Sequence, residues 1–299
     1  MKSDVTVDRL VSVTCRRPAM ASWFDFRLVG SDPEHLLSVG EAMLDEVQRV
    51  ERLLSRFDPS GSLARVNREA GKAPVLIERE LHSILTDCLR WHRSTLGAFN
   101  PCRPREGLDH LPIAGFDDVL TLAEDSPRVL WLDPRFEIDL GGFGKGYALD
   151  RSARLLGPFG VDSALLEGGT SSVLARGLSE AQTPWNVAIR DPLDSLVPVD
   201  HVLLQGGLSS SATFAPGTPV SDIIDPTTGC PISVASACSV VSTSASEAEV
   251  FSTALLALGA ERARALVGSP AFPEHLRVLW IDCEHGPSRS TWITRQEFS

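Results

Sequence analysis

Apolar residues recur at helical spacing at Leu36, Met43, Val47, Val50 and Leu54, behind an Asp32-Pro33 pair suited to cap and start a helix. A long amphipathic helix is predicted there, preceded by a strand around Trp23 to Val29 and ended by the polar run Asp58 to Ser62. Leu81, Ile84, Leu85, Cys88 and His92 share one face of a second helix, which Gly97 stops. Residues 128 to 140 read as two short strands joined by Asp133-Pro134. The glycine-rich turn Asp139 to Gly146 then leads into a helix containing Ala148, Ala153, Leu155 and Leu156. Further strands are expected at Ser163 to Leu166, Asn186 to Ile189, Val202 to Leu204 and Arg277 to Ile281. A Pro- and Gly-rich stretch spans Ala215 to Ile232, and a last helix runs from about Ser246 to Val267. No repeat or flexible linker interrupts the chain, so residues 1–299 read as one α+β domain.

Composition narrows the chemistry. The chain has 299 residues, 43% of them apolar and 22% charged, as an ordinary globular protein does. Its formal net charge of -11, without a run of Lys or Arg, argues against a nucleic-acid partner. A nucleotide remains compatible, because a metal ion supplies positive charge locally. The six cysteines, Cys15, Cys88, Cys102, Cys230, Cys238 and Cys283, show no tight metal spacing. Acidic residues in the first segment leave no signal peptide or lipobox, and no window has the ~20 apolar residues of a membrane span. A cytoplasmic protein is the expectation. No GxSxG elbow is present, and His35, His82, His92, His110, His201, His275 and His285 are scattered outside any nucleophile motif.

Several motifs resemble, in order, those of the ApbE flavin transferases. Pro18 to Ser22, around Met20, is similar to the family's methionine-glycine-threonine opening. Ser55-Arg56-Phe57 with Asn67, and Gly97-Ala98-Phe99-Asn100-Pro101, resemble two further stretches. Ile138 to Asp150, IDLGGFGKGYALD, is close to the family pattern almost letter for letter, and Glu167-Gly168-Gly169 follows it. Pro184 to Pro192, Ile223 to Gly229 and Ala248 to Leu255 match later motifs. The resemblance implies an α+β fold of two interleaved lobes with a flavin cleft between them. It also implies a reaction: Mg2+-dependent transfer of FMN from FAD to a Ser or Thr hydroxyl of an acceptor flavoprotein, releasing AMP.

Each implied site residue has a second reading. Glu249 and Thr253, four apart on one helix face, are by resemblance magnesium ligands together with the Gly142 carbonyl; spacing alone reads as a solvated face. Lys145 is suited to a phosphate or flavin oxygen, or is a surface lysine, and Asp139 accepts a hydrogen bond from a nucleobase or ribitol. Phe57 and Phe99 are stacking surfaces by resemblance and core residues by type. Met20 is a cofactor contact or a core filler. Ala98, Asn100 and Ile223 complete the implied cofactor wall.

The chain also departs from the pattern. Asp222 stands where the family has a histidine that is a candidate proton acceptor for the incoming hydroxyl. An aspartate, with a reference pKa of about 3.9 against about 6.5, is the weaker base. Glu249 replaces an aspartate, Asn100 replaces another, Ser210-Ser211-Ala212 stands for threonine-serine-glycine, and Phe214 for tyrosine. Two other outcomes follow from these changes: an FAD pyrophosphatase with water as acceptor, or a flavin-binding protein without catalysis.

Overall fold

The computed structural model describes residues 10–108, 113–214, 223–284 and 287–294. The first half contains β1 (Val11–Ala19), β2 (Ser22–Gly30), α1 (Pro33–Leu54), α2 (Ser62–Glu69), β3 (Val75–Leu76), α3 (Arg79–Ser94), β4 (Cys102–Pro104), α4 (Phe116–Val119), β5 (Leu120–Leu122), β6 (Arg128–Leu132) and β7 (Phe136–Ile138). The second half adds α5 (Gly144–Ala153), β8 (Ser163–Gly168), β9 (Ser172–Arg176), β10 (Trp185–Arg190), β11 (Pro198–Leu204), β12 (Gly206–Ala212), β13 (Ser236–Ser242), α6 (Ala245–Gly268), β14 (Arg277–Asp282) and β15 (Arg289–Ile293).

Eight strands form one antiparallel sheet in the order β1-β2-β8-β9-β12-β13-β14-β15. Both of its faces are covered. Cys238 and Val240 of β13 and Val278 and Trp280 of β14 join the core beneath α1, α5 and α6, whereas Ala237, Leu279 and Ile281 face the β10–β11 hairpin. Period-two alternation therefore produces two apolar layers from the same strands. In α1 the Asp32 carboxylate accepts from Glu34 N–H at 3.0 Å and His35 N–H at 3.1 Å, and Pro33 occupies the first turn. Its stripe of Leu36, Val39, Met43, Val47 and Val50 is buried against the sheet and α5. Each such side chain contributes roughly 1.5–3 kcal/mol.

The smaller sheets β3-β6-β5 and β4-β7 pack with α2, α3 and α4 onto the same continuous core. Buried Asn67 acts as a backbone mimic: its Nδ2 donates to Ile138 O at 2.9 Å and its Oδ1 accepts from Ile138 N–H at 2.7 Å. That clip fixes β7, and with it the start of the glycine turn. The two strands expected over 128 to 140 are present, but β6 and β7 belong to different sheets. The predicted strand at Trp23 is β2, with β1 paired ahead of it. Leu155 and Leu156 lie beyond the end of α5. The last helix spans its expected range, but Gly259 (φ 76°, ψ 165°) breaks it into two segments. Among the described residues no helix is long and apolar enough to cross a membrane.

Two features of the sheet store strain. Met20 and Ala21 join β1 to β2 with φ values of 51° and 55°, a left-handed turn made without glycine. Removing the Cβ relieves it, so Ala21→Gly should raise stability by about 1 kcal/mol, read from urea unfolding. Across β2 and β8, Asp25 faces Glu167 in register. Burial, then the Asp25 charge, pushes the Glu167 carboxyl above its ordinary range. A raised folded-state pKa favours folding below the unfolded value of about 4.3, and that contribution is lost as pH rises. Glu167→Gln should therefore raise the urea midpoint at about pH 7 and lose the advantage near about pH 4.

Candidate functional site

The glycine turn lies between β7 and α5. Asp139 N–H donates to Pro101 O at 2.8 Å, and the Asp139 carboxylate accepts from Gly141 N–H at 2.9 Å. Arg56 Nε stands 2.9 Å from the other oxygen of Asp139, and its Nη1 donates to Glu137 at 2.9 Å. The turn is thus tied down before the helix begins. On its far side α5 is fixed by Arg151 to Glu46 at 3.0 Å and by the Tyr147 hydroxyl donating to Glu80 at 2.8 Å. Arg49 hydrogen bonds hold the Glu46 carboxyl below the usual range, while burial and then the Glu80 contact push the Tyr147 phenol up.

α5 and α6 cap one another. Asp150 of α5 accepts from Ala245 N–H and Ser246 N–H, each at 2.9 Å, and from the hydroxyls of Ser244 at 2.7 Å and Ser246 at 2.6 Å. Glu249 of α6 reaches back: its Oε2 accepts from Gly146 N–H at 2.5 Å, and its Oε1 pairs with Lys145 Nζ at 2.9 Å. A carboxylate at a helix N-terminus meets unpaired N–H groups and the positive end of the dipole. The exchange requires close approach, because a Cβ on Gly146 would overlap the Ala245 carbonyl. Glycine is the residue that permits this crossing.

One turn further along α6, Thr253 Oγ1 hydrogen-bonds Ser211 Oγ at 3.1 Å, and the Thr253 side chain faces Gly142, its Cγ2 3.8 Å from where a Cβ would stand. Ser211 also contacts Ser252 at 2.9 Å, so the end of β12 presents hydroxyls to the helix. Lys145, Glu249 and Thr253 are therefore gathered beside the glycine turn. Among the described residues no cluster of three or more His, Cys, Asp or Glu side chains is placed to hold a metal. A magnesium site here would use a mixed oxygen set instead: the Glu249 carboxylate, the Thr253 hydroxyl and the Gly142 carbonyl. Buried Glu249, 4% exposed, and the adjoining hydroxyls fit that ion's preference for oxygen donors.

The remaining implied residues are placed as follows. Met20 sits in the strained turn, its N–H donating to Glu51 at 2.6 Å and its sulfur 3.8 Å from the Cβ position of Gly144. Phe57 is 77% exposed with the Arg56 guanidinium 4.0 Å over its ring. Phe99 is 5% exposed and meets Trp91 edge-on at 6.3 Å, so its ring belongs to the core. Ala98 is buried beside it. His92 Nε2 accepts from Phe116 N–H at 3.2 Å, leaving Nδ1–H to donate to Phe99 O at 2.8 Å. Asn100 donates to Ala114 O at 2.9 Å and accepts from Cys102 N–H at 3.1 Å. Ile223 packs at the core margin and accepts from Ile232 N–H at 3.0 Å. Asp222 lies outside the described residues, as do His110 and His285.

Sequence reasoning missed Asp150, Arg56 and Arg262. Asp150 closes the matched glycine motif four residues after Gly146, on the same helix face, which was the available signal. Arg262 Nη2 pairs with Asp225 at 3.1 Å and Nη1 donates to Thr227 at 2.5 Å, binding the Asp225-Pro-Thr-Thr turn to α6.

The glycine turn thus opens onto a helix start that is closed by the Glu249 carboxylate, with the Lys145 ammonium and the hydroxyls of Ser211, Ser252 and Thr253 beside it. The ApbE family pattern matches residues 11–279, and the chain belongs to the ApbE family. It is 27% identical to the FAD:protein FMN transferase of Escherichia coli K12, over 93% of this chain and 86% of that protein. It is 30% identical to the FAD:protein FMN transferase of Buchnera aphidicola, over 87% and 82%. The crystal structure of the ApbE protein from Thermotoga maritima superimposes with a TM-score of 0.80 at 21% identity, covering 96% of this chain and 98% of that one, which shows the fold.

Asp150→Ala should cost about 2 kcal/mol in thermal unfolding, because several donors at the start of α6 lose their acceptor together.

Proposed function

We propose that this chain transfers the FMN half of FAD to a Ser or Thr hydroxyl of an acceptor flavoprotein, releasing AMP. The observation that carries the reading is the placement of Lys145, Glu249 and Thr253 beside the glycine turn, where α5 and α6 meet. Relatives at moderate identity bearing the name FAD:protein FMN transferase support it.

In this reading the dinucleotide's diphosphate lies against the turn. The acceptor oxygen attacks the phosphorus on the flavin side, a new P–O ester bond forms, and the bond to the AMP oxygen breaks in line. The hydroxyl proton passes to a base, for which Asp222 is the candidate. Glu249, Thr253 and the Gly142 carbonyl would hold magnesium, which when bound neutralises charge developing on the phosphoryl oxygens. Lys145 supplies an ammonium beside the same turn, and the tied turn limits reorganisation of the site during reaction. The exposed face of Phe57 offers a planar ring a stacking surface. On the same reading the whole chain works as one flavin transferase domain.

The test incubates the protein with FAD, Mg2+ and an acceptor flavoprotein and weighs the acceptor. Transfer adds one FMN by a phosphodiester link and releases AMP in equal amount. Thr253→Val should lower the transfer rate about 100-fold while FAD binding persists. Free FMN formed without acceptor would replace transfer by hydrolysis, and FAD bound without AMP release would leave a flavin-binding protein.

A further inference from the structure

The Glu249 carboxylate is already fully engaged. It is 4% exposed, one oxygen pairs with Lys145 at 2.9 Å, and the other accepts from Gly146 N–H at 2.5 Å. A buried carboxylate needs such neutralisation, since an uncompensated charge away from water is costly. Lys145 differs from its partner in having a way out. Its side chain is 24% exposed, and its Cδ lies 3.8 Å from where a Cβ on Gly169 would stand, at the margin of the turn after β8. The same oxygens that the ammonium and the amide hold are the ones a divalent ion needs.

We propose that Lys145 is the resident counter-ion of Glu249, and that a divalent cation reaches this carboxylate only by displacing the ammonium. Lys145 thereby sets the metal affinity of the site. The inference rests on the reading of Glu249 and Thr253 as the cation site. Two positive groups within a few ångströms of one buried carboxylate repel each other, so occupancy is an exchange. The glutamate arm strengthens the competitor: the family's aspartate at this position is one methylene shorter and would leave the carboxylate farther from Lys145 and from the start of α5. The exchange also changes the charge of the cleft. With Lys145 on Glu249 the pair is neutral. With a divalent ion on Glu249 and the ammonium released, the three groups sum to about +2, matching the two negative charges of a dinucleotide diphosphate.

The experiment measures Mn2+ binding to the full chain by the electron paramagnetic resonance signal of the free ion, with neither flavin nor acceptor present. Lys145→Gln should bind Mn2+ at least about tenfold more tightly than the wild type, a difference of about 1.4 kcal/mol. Glu249→Asp should also tighten binding, because the shorter arm loosens the ion pair. The double variant should gain less than the sum of the two, since both changes remove one interaction. Unchanged or weaker Mn2+ binding by Lys145→Gln overturns the proposal, as does absence of Mn2+ binding to any of these proteins. If circular dichroism shows Lys145→Gln unfolded, Glu249→Asp decides alone, by the same criterion. FMN transfer plays no part in the readout, so a failed transfer assay leaves this result standing, and a failed exchange leaves transfer open.

Discussion

Two carboxylates crossed between two helices hold the centre of this molecule together. Asp150 leaves α5 to cap α6, and Glu249 leaves α6 to cap α5. Each helix start exposes N–H groups without intrahelical partners, and each is satisfied by an anion from the other. The arrangement depends on the absence of a side chain at Gly146, where the two backbones touch. The glycine turn is therefore not a loop resting on a scaffold. Its polar groups are part of the contact that joins the helices.

The same crossing matches charges locally in an otherwise acidic chain. The chain carries a formal charge of -11, but beside the glycine turn the charges are matched in pairs. Glu249 is balanced by Lys145 and by the start of α5, and Asp139 by Arg56 and Gly141. The Glu249 side chain is held by these same contacts. Its carboxylate closes the helix pair, so the residue has a structural role before any ligand arrives.

The helices were readable because their signals are local. Asp32-Pro33 and the apolar stripe of α1, the glycine turn and the periodic run of α6 all lie within a few turns of chain. The strands β12 and β13 were not readable. Their sequences, GGLSSSA and SACSVVS, are rich in small and polar residues, and they become strands because α6 covers one face and the β10–β11 layer the other. The short α2 was lost for a related reason: it is mostly polar, and its place is secured by Asn67 clasping Ile138, 71 residues away. Phe57 and Phe99 make the same point within the site. Both follow helices in family-like motifs, yet one ring is 77% exposed and the other 5%, a difference set by Trp91 and its neighbours.

The left-handed residue at Gly259 divides α6 into two rods with different anchors. The first rod, with Glu249 and Thr253, is bolted to α5. The second carries Arg262, which grips Asp225 and Thr227 of the turn that follows Ile223. A single element thus touches both the glycine turn and the 225–227 turn. Arg262 Nε also donates to Leu258 O across that break at 2.7 Å, so one guanidinium clamps the proximal rod, the distal rod and the 225–227 turn in a single alignment.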